Sequence, residues 1–211
     1  MDECITDYNL VYILDGKVYI NLTNSCTNNC VFCIRSIKDN VAGANLFLNS
    51  ENVKAQEVIS QLEAMKDKIS SEIIFCGYGE PMLKLDVMKE TARYIKENYP
   101  SAVIRVNTNG HANLVYKRNV LPELKGLIDR FSISLNGENE EVYNELSRPD
   151  VKGAYEAVKE FIKESVKQGF DTTATVVTGY KNYKVDMPKC IEIAKESGAK
   201  FKERTWLNNG Y

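Results

Sequence analysis

The stretch Asn24-Ser25-Cys26-Thr27-Asn28-Asn29-Cys30-Val31-Phe32-Cys33 places three cysteines within eight residues, in the spacing CxxxCxxC. It follows an alternating run in which Val18, Ile20 and Leu22 share one face, the period of a strand. Three thiolates from one short loop suit a metal site. Iron–sulfur cubanes usually take four cysteines, and no fourth lies nearby. A site with three protein ligands leaves one metal position open to outside chemistry, the logic that separates catalytic from structural zinc sites. Structural zinc is the competing reading, with Cys4, Cys76, Cys190 or the single histidine, His111, as a distant fourth ligand. Zinc sites usually pair two CxxC knuckles or a CxxC with two histidines, and the chain has neither. A disulfide framework fits less well, because a chain of 211 residues needs no staples.

Composition sets wider bounds. The chain is 44% hydrophobic and 27% charged, with a formal net charge of −2. A core of useful size is expected, in one domain spanning 1–211. The charge balance predicts no general basic face for nucleic acid. No apolar run reaches the length of a membrane span. The start, Met1-Asp2-Glu3-Cys4, lacks an apolar targeting core, so a cytoplasmic setting is expected, with Cys4 in a loose tail.

Further along, strands alternate with helices. Asp15-Gly16 joins two strands into an N-terminal hairpin. Strands are expected at 72–76, 103–106, 130–135, 172–177 and 200–206. Helices are expected at 53–68, capped by Ser50 or Asn52, at 85–98, capped by Asp86, at 111–126 with a break at Pro122, at 138–146, 153–168 and 187–197. Residues 34–49 lack a clean period and read as a loop covering the cysteines, with Arg35 solvated or close to them. Cys190 reads as a small core residue. The alternation predicts a parallel sheet with helical crossovers, as a partial (βα)6 TIM-like barrel carrying the N-terminal hairpin. In such folds chemistry gathers at the C-terminal ends of the strands. The cysteine loop, Gly77-Tyr78-Gly79-Glu80-Pro81, Asn107-Thr108-Asn109-Gly110 and the Ser134-Leu135-Asn136-Gly137 turn all follow strands, so all four should share one rim. Their Gly and Asn residues also suit plain turn chemistry. His111, a lone histidine after a turn, reads as a surface or packing residue.

CxxxCxxC with an aromatic before its last cysteine resembles the signature of the radical S-adenosylmethionine (SAM) superfamily. The resemblance spans nearly the whole chain. At finer grain NLTNSCTNNCVFCIR, FCGYGEP, NTNG and SISLN look like the small TatD-associated radical SAM proteins. It implies that Cys26, Cys30 and Cys33 bind a [4Fe-4S] cluster whose fourth iron is chelated by SAM. It implies that Gly77, Tyr78, Gly79 and Glu80 receive the SAM amino group, although Tyr78 stands where the family usually has Gly. Asn107, Asn109, Ser134, Asn136 and Arg148 would hold the ribose and carboxylate, and Phe32 and Val177 the adenine. The implied reaction is reductive cleavage of SAM to a 5′-deoxyadenosyl radical that takes hydrogen from an unidentified substrate, with flavodoxin or ferredoxin as one-electron donor. A functional link to a TatD-type nuclease follows by analogy alone. A glycyl-radical-enzyme activase and a zinc-stabilised binding module are the alternatives.

Overall fold

The computed structural model describes residues 8–69 and 71–206. Cys4 and the extreme C-terminus lie outside the described residues. The hairpin forms as expected: β1 (Val11–Leu14) pairs antiparallel with β2 (Lys17–Ile20). Asp15 and Gly16 both take left-handed backbone, φ 49 and 71, the geometry of a two-residue turn matched to strand twist. Beyond β2 comes a small hairpin, β3 (Asn40–Val41) with β4 (Ala44–Asn45). Five strands then follow, β5 (Glu72–Phe75), β6 (Val103–Thr108), β7 (Arg130–Ser134), β8 (Asp171–Thr178) and β9 (Lys200–Thr205). The sheet order is β1-β2-β5-β6-β7-β8-β9, parallel from β2 onward. Six parallel strands with a hairpin at one edge make the open, partial barrel that the alternation predicted.

The helices are α1 (Ala55–Ala64), α2 (Leu85–Asn98), α3 (Ala112–Tyr116), α4 (Glu140–Ser147), α5 (Ala154–Lys167) and α6 (Met187–Glu196). Their apolar stripes pack on the convex face of the sheet. Met88, Thr91, Ala92 and Ile95 of α2 are buried there, as are Val158, Phe161 and Ile162 of α5. Cys190 is buried on α6, as expected.

Three details differ from the sequence reading. The N-cap of α1 is Lys54, not Ser50 or Asn52, and Glu57 reaches back to accept from the Lys54 N–H at 2.8 Å. Asp86 lies inside the first turn of α2, paired with Lys89, and caps nothing. The segment 111–126 is a single five-residue helix and a separate 3-10 turn at Leu121–Leu124. Lys117 turns left-handed at φ 54 and ends α3, and Pro122 starts rather than interrupts the second piece, where its missing N–H costs nothing.

Residues 34–48, read as a loop over the cysteines, instead hold a 3-10 turn (Ile34–Ser36) and the β3–β4 hairpin, and form a cover over Tyr78 and Tyr12. Tyr78, Tyr12, Val41 and Leu46 build a second apolar cluster under it. Asn21 Nδ2 donates to the Leu46 carbonyl at 2.8 Å, and Asn24 bonds both backbone groups of Leu48. No helix among the described residues is long and apolar enough to cross a membrane.

At Gly79 the rim is closed by backbone. A Cβ there would stand 2.4 Å from the Thr23 carbonyl oxygen and 2.5 Å from that of Ser25. Both obstacles are backbone and cannot swing aside. Gly79→Ala should therefore destabilise by roughly 3 kcal/mol, or about 6–12 °C in Tm for a chain of this size. A melt followed by circular dichroism measures it, and an unshifted Tm would show that the turn relaxes freely.

Candidate functional site

The cysteine loop is held from two sides. On one side Gly77 and Gly79 press against the end of β2. A Cβ on Gly77 would meet Asn21 Oδ1 at 2.0 Å. The Tyr78 N–H donates to that same oxygen at 3.3 Å, and the Glu80 N–H donates to the Ser25 carbonyl at 2.8 Å. These glycines are therefore required by backbone approach as well as by any ligand. On the other side the C-terminus of α4 offers carbonyls that the helix itself leaves unpaired. Leu146 accepts from the Val31 N–H at 2.9 Å, and Ser147 and Arg148 both accept from Asn29 at 3.1 Å. The Asp150 N–H returns to the Thr27 carbonyl at 3.0 Å.

Cys26 Sγ accepts from the Asn28 N–H at 3.4 Å and from Asn109 Nδ2 at 3.8 Å. Burial pushes the Cys26 thiol up to about 11, with the charge of Glu80 adding to it, and the Cys30 thiol to about 12. Ser147 bonds to Cys30 and works against that rise. Arg35 lies beside this loop rather than in solvent: its Nη1 donates to the Asn24 carbonyl at 2.8 Å and reaches the Tyr78 carbonyl at 3.5 Å.

Glu80 is buried and turned inward. Its carboxylate accepts from the Met82 N–H at 3.0 Å, Thr108 Oγ1 at 2.7 Å and the Asn109 N–H at 2.7 Å. Burial outweighs these three donors and lifts the group to about 7. It joins the GYGEP turn to the NTNG turn. The Tyr78 ring faces the cover, with its hydroxyl donating to the Lys38 carbonyl and its edge against Phe47 at 4.8 Å. This is why a tyrosine serves where the resemblance expects glycine: the backbone does the turn's work and the ring anchors 38–48.

His111 is fully buried at the foot of the rim. Its Nδ1 meets Thr27 Oγ1 at 2.9 Å and its Nε2 meets the Tyr143 hydroxyl at 2.8 Å. Asn109 Nδ2 donates to the same Thr27 oxygen at 2.8 Å. A continuous polar chain thus runs from Tyr143 through His111, Thr27 and Asn109 to Cys26. Burial holds the imidazole down to about 4. Thr27, Asn28, Ser147 and Tyr143 were absent from the sequence-level candidates, since no spacing rule joins positions so far apart in the chain.

The other candidates divide. Asn107 lines a cavity of about 340 Å³ with Cys76, Gly77 and Tyr78 on the concave face. Ser134 ends β7 beside Thr175. Asn136 takes left-handed backbone and donates to Ser147 Oγ at 3.4 Å. The Phe32 ring meets Tyr180 edge-on at 6.3 Å, just past Val177, and its carbonyl accepts from Trp206 Nε1 at 3.3 Å. Arg148 is not brought in: it clamps the cysteine loop with its backbone, while its exposed side chain lines a surface groove with Glu140, Asn144 and Lys152.

The residues present suit a cluster and a zwitterionic ligand. Among the described residues no three His, Cys, Asp or Glu side chains, the loop cysteines included, stand grouped as ligands of a single metal ion. A cubane instead spreads three thiolates over three irons. Three rim asparagines, Asn28, Asn107 and Asn136, bury a side-chain oxygen without a donor, a costly state that a ligand's ammonium or hydroxyl groups would relieve.

A family model described as "Radical SAM superfamily" matches residues 20–194. The chain is 28% identical over 159 residues to the dual-specificity RNA methyltransferase RlmN of Phenylobacterium zucineum, covering 64% of this chain and 37% of the relative. It is 31% identical over 135 residues to the GTP 3′,8-cyclase of Limosilactobacillus fermentum, covering 64% and 38%. The chain thus spans less than two fifths of these relatives. Among solved structures, Streptococcus suis SuiB bound to precursor peptide SuiA superposes with a TM-score of 0.67 at 17% identity, over 90% of this chain and 39% of that one.

Two measurements test the site's internal structure. Because the folded-state pKa of His111 lies below its ordinary value near 6.5, the unfolded chain binds the extra proton first as pH falls. Stability should drop between about pH 6.5 and 4, by up to roughly 3 kcal/mol. Glu80 works the opposite way, since a carboxyl lifted to about 7 favours the folded state as pH falls through 7. Urea midpoints of wild type and His111→Gln isolate the histidine: the wild type should lose more over that window, and parallel losses would mean the imidazole is not held neutral. Tyr78→Gly should cost about 3–5 kcal/mol locally, as for other buried aromatics, and expose Lys38 to faster tryptic cleavage. An unchanged cleavage rate would show that the cover is held by other contacts.

Proposed function

We propose, from the premise that the chain belongs to the radical SAM superfamily, that its own rim carries the whole cofactor site of a radical SAM enzyme. Members of the superfamily are enzymes that use a [4Fe-4S] cluster and SAM. In this reading Cys26, Cys30 and Cys33 hold the cluster and leave its remaining iron open. The observation that carries it is the convergence of four strand-end turns around three half-buried thiols, with three orphaned asparagine oxygens on the same rim.

When bound, the pair of cofactors supplies one-electron reductive cleavage of SAM and with it hydrogen-atom abstraction from a substrate. The chain supplies placement. Gly77, Tyr78 and Gly79 offer backbone carbonyls to the SAM amino group. Glu80 keeps that turn in register by gripping Thr108 and Asn109 rather than by reaching the ligand itself. Asn107, Ser134 and Asn136 line the ends of neighbouring strands as partners for ribose and carboxylate. Phe32 and Val177 flank the adenine side, and the Tyr180 ring beside Phe32 extends that wall. Arg148 contributes through its backbone clamp. Asn28 and Asn109 donate to Cys26 and favour its thiolate form. The cover 34–48 keeps water from the concave face.

The same reading takes 1–211 as a single core domain, working in the cytoplasm with a one-electron donor of the flavodoxin or ferredoxin kind. RNA and GTP appear in the names of the relatives, and a peptide in that of the structural neighbour, so the reaction is left at the level of hydrogen abstraction. The narrower kinship with TatD-associated proteins stays part of the reading on the four sequence motifs alone.

Anaerobic reconstitution with iron and sulfide tests it. Cys26→Ala, Cys30→Ala and Cys33→Ala should each lose most of the cluster. Cys76→Ala should keep it, and the EPR signal of the reduced wild type should shift on adding SAM. Loss of metal in Cys76→Ala, or a cluster indifferent to SAM, would overturn the reading.

A further inference from the structure

The concave face carries far more positive charge than the chain as a whole. The cavity below Asn107 continues into a second one of about 310 Å³, and the two share Arg105, Ser132 and Lys202. Lys17, Arg105, Arg130, Lys200, Lys202 and Arg204 line them. Among the described lining residues only Asp15, Glu72 and Asp171 oppose these six, in a chain whose formal charge is −2. Strand alternation produces this: β6 points Arg105 and Asn107 inward, and β9 does the same with Lys200, Lys202 and Arg204, which align with Thr173, Thr175 and Val177 of β8.

The negative charge sits on the floor. Glu72, at the start of β5, takes Lys17 at 2.7 Å and lies 3.5 Å from both Arg105 and Arg130. Asp171, at the start of β8, takes Lys200 at 2.6 Å and Arg130 at 3.3 Å. Higher up the balance changes. Among the described residues Arg105 has only that long contact, and its buried Nε makes no hydrogen bond. Lys202 forms no ion pair among the described residues. Arg204 and Arg105 both bear electrostatically on Cys76, at the top of the same cavity. Like charges gathered in a partly enclosed space repel one another and focus the field on whatever enters. Guanidinium groups match the planar, multi-oxygen faces of phosphate and carboxylate.

We propose that this cavity binds the anionic group of a small substrate, a phosphate or a carboxylate, through Arg105, Lys202 and Arg204. Its position just below Gly77, Tyr78 and Asn107 places the rest of such a substrate toward the cysteine rim. The use of the bound molecule rests on the radical SAM reading; the binding does not.

Phenyl phosphate and benzoate probe the two chemistries on one scaffold. Calorimetric titrations would use the reconstituted protein with SAM and, separately, the metal-free protein. Wild type should bind at least one probe, more weakly as salt rises. Arg105→Gln and Arg204→Gln should each weaken binding at least tenfold, and the exposed Lys202→Gln, which leaves the core untouched, by a smaller factor in the same direction. Lys189→Gln on α6 removes one charge elsewhere and should change nothing. Preference for phenyl phosphate or for benzoate supports the proposal and selects between a phosphorylated and a carboxylated substrate. Failure of both probes to bind overturns it. So does equal weakening by Lys189→Gln, which would reduce the effect to net charge. Loss of SAM affinity in step with probe affinity would assign the cations to the SAM carboxylate and overturn it too. A protein that assembles no cluster but binds a probe through these residues would sink the radical SAM reading and leave the anion site standing.

Discussion

The rim depends on the absence of side chains at Gly77 and Gly79. The GYGEP turn lies so close to the Asn21–Ser25 backbone that a single methyl group at Gly79 would overlap two carbonyl oxygens. That approach lets the Glu80 N–H reach Ser25, one residue before the first cysteine. The Glu80 carboxylate then carries the same restraint to Thr108 and Asn109. Three consecutive strand ends are thereby locked at atomic contact, and the Cys26 side of the loop inherits its position from them.

The Cys30 side is fixed by a different device. The last turn of α4 has carbonyls to spare, and the loop has N–H groups in need of acceptors, so each completes the other. Tyr143, one turn earlier on the same helix, closes the polar chain through His111 to Thr27. The histidine is thus a packed, bonded strut between α4 and the loop. A surface or packing residue was the expectation for it; it is buried, and the hydrogen bonds at both ring nitrogens give the packing its direction.

Much of this was legible in the sequence. Strand and helix periods located every parallel strand within a few residues, because apolar faces at periods of 2 and 3.6 are set locally. The four rim motifs were legible for the same reason: each follows a strand, and a parallel sheet sends all such ends to one side. Caps were less legible. Ser50 and Asn52 had the right chemistry for α1, yet Glu57 reaching back to Lys54 did the job from inside the helix. Arg148 was placed near the site by the resemblance, but its backbone is left-handed at φ 46 and its exposed side chain lines a surface groove. The charge on the concave face was written in the alternation of Arg105 with Asn107 and of Lys202 with Arg204. Only the register between strands, which no local pattern fixes, shows that these pairs face one cavity.

The burial of the thiols bears on how metal and fold are related. Cys26 and Cys30 sit in surroundings that favour the neutral thiol strongly, while ligation requires thiolates. In the proposed reading, loading would therefore release protons and be favoured by rising pH. In small zinc modules the same metal also organises the backbone. Here the backbone is organised already, by Ser25 on one side and by Leu146 to Arg148 on the other. Binding energy would then go into displacing protons rather than into ordering the chain. The loop's shape belongs to the fold, and in the proposed reading a cluster's stabilisation would add to a site whose backbone the chain's own hydrogen bonds already hold.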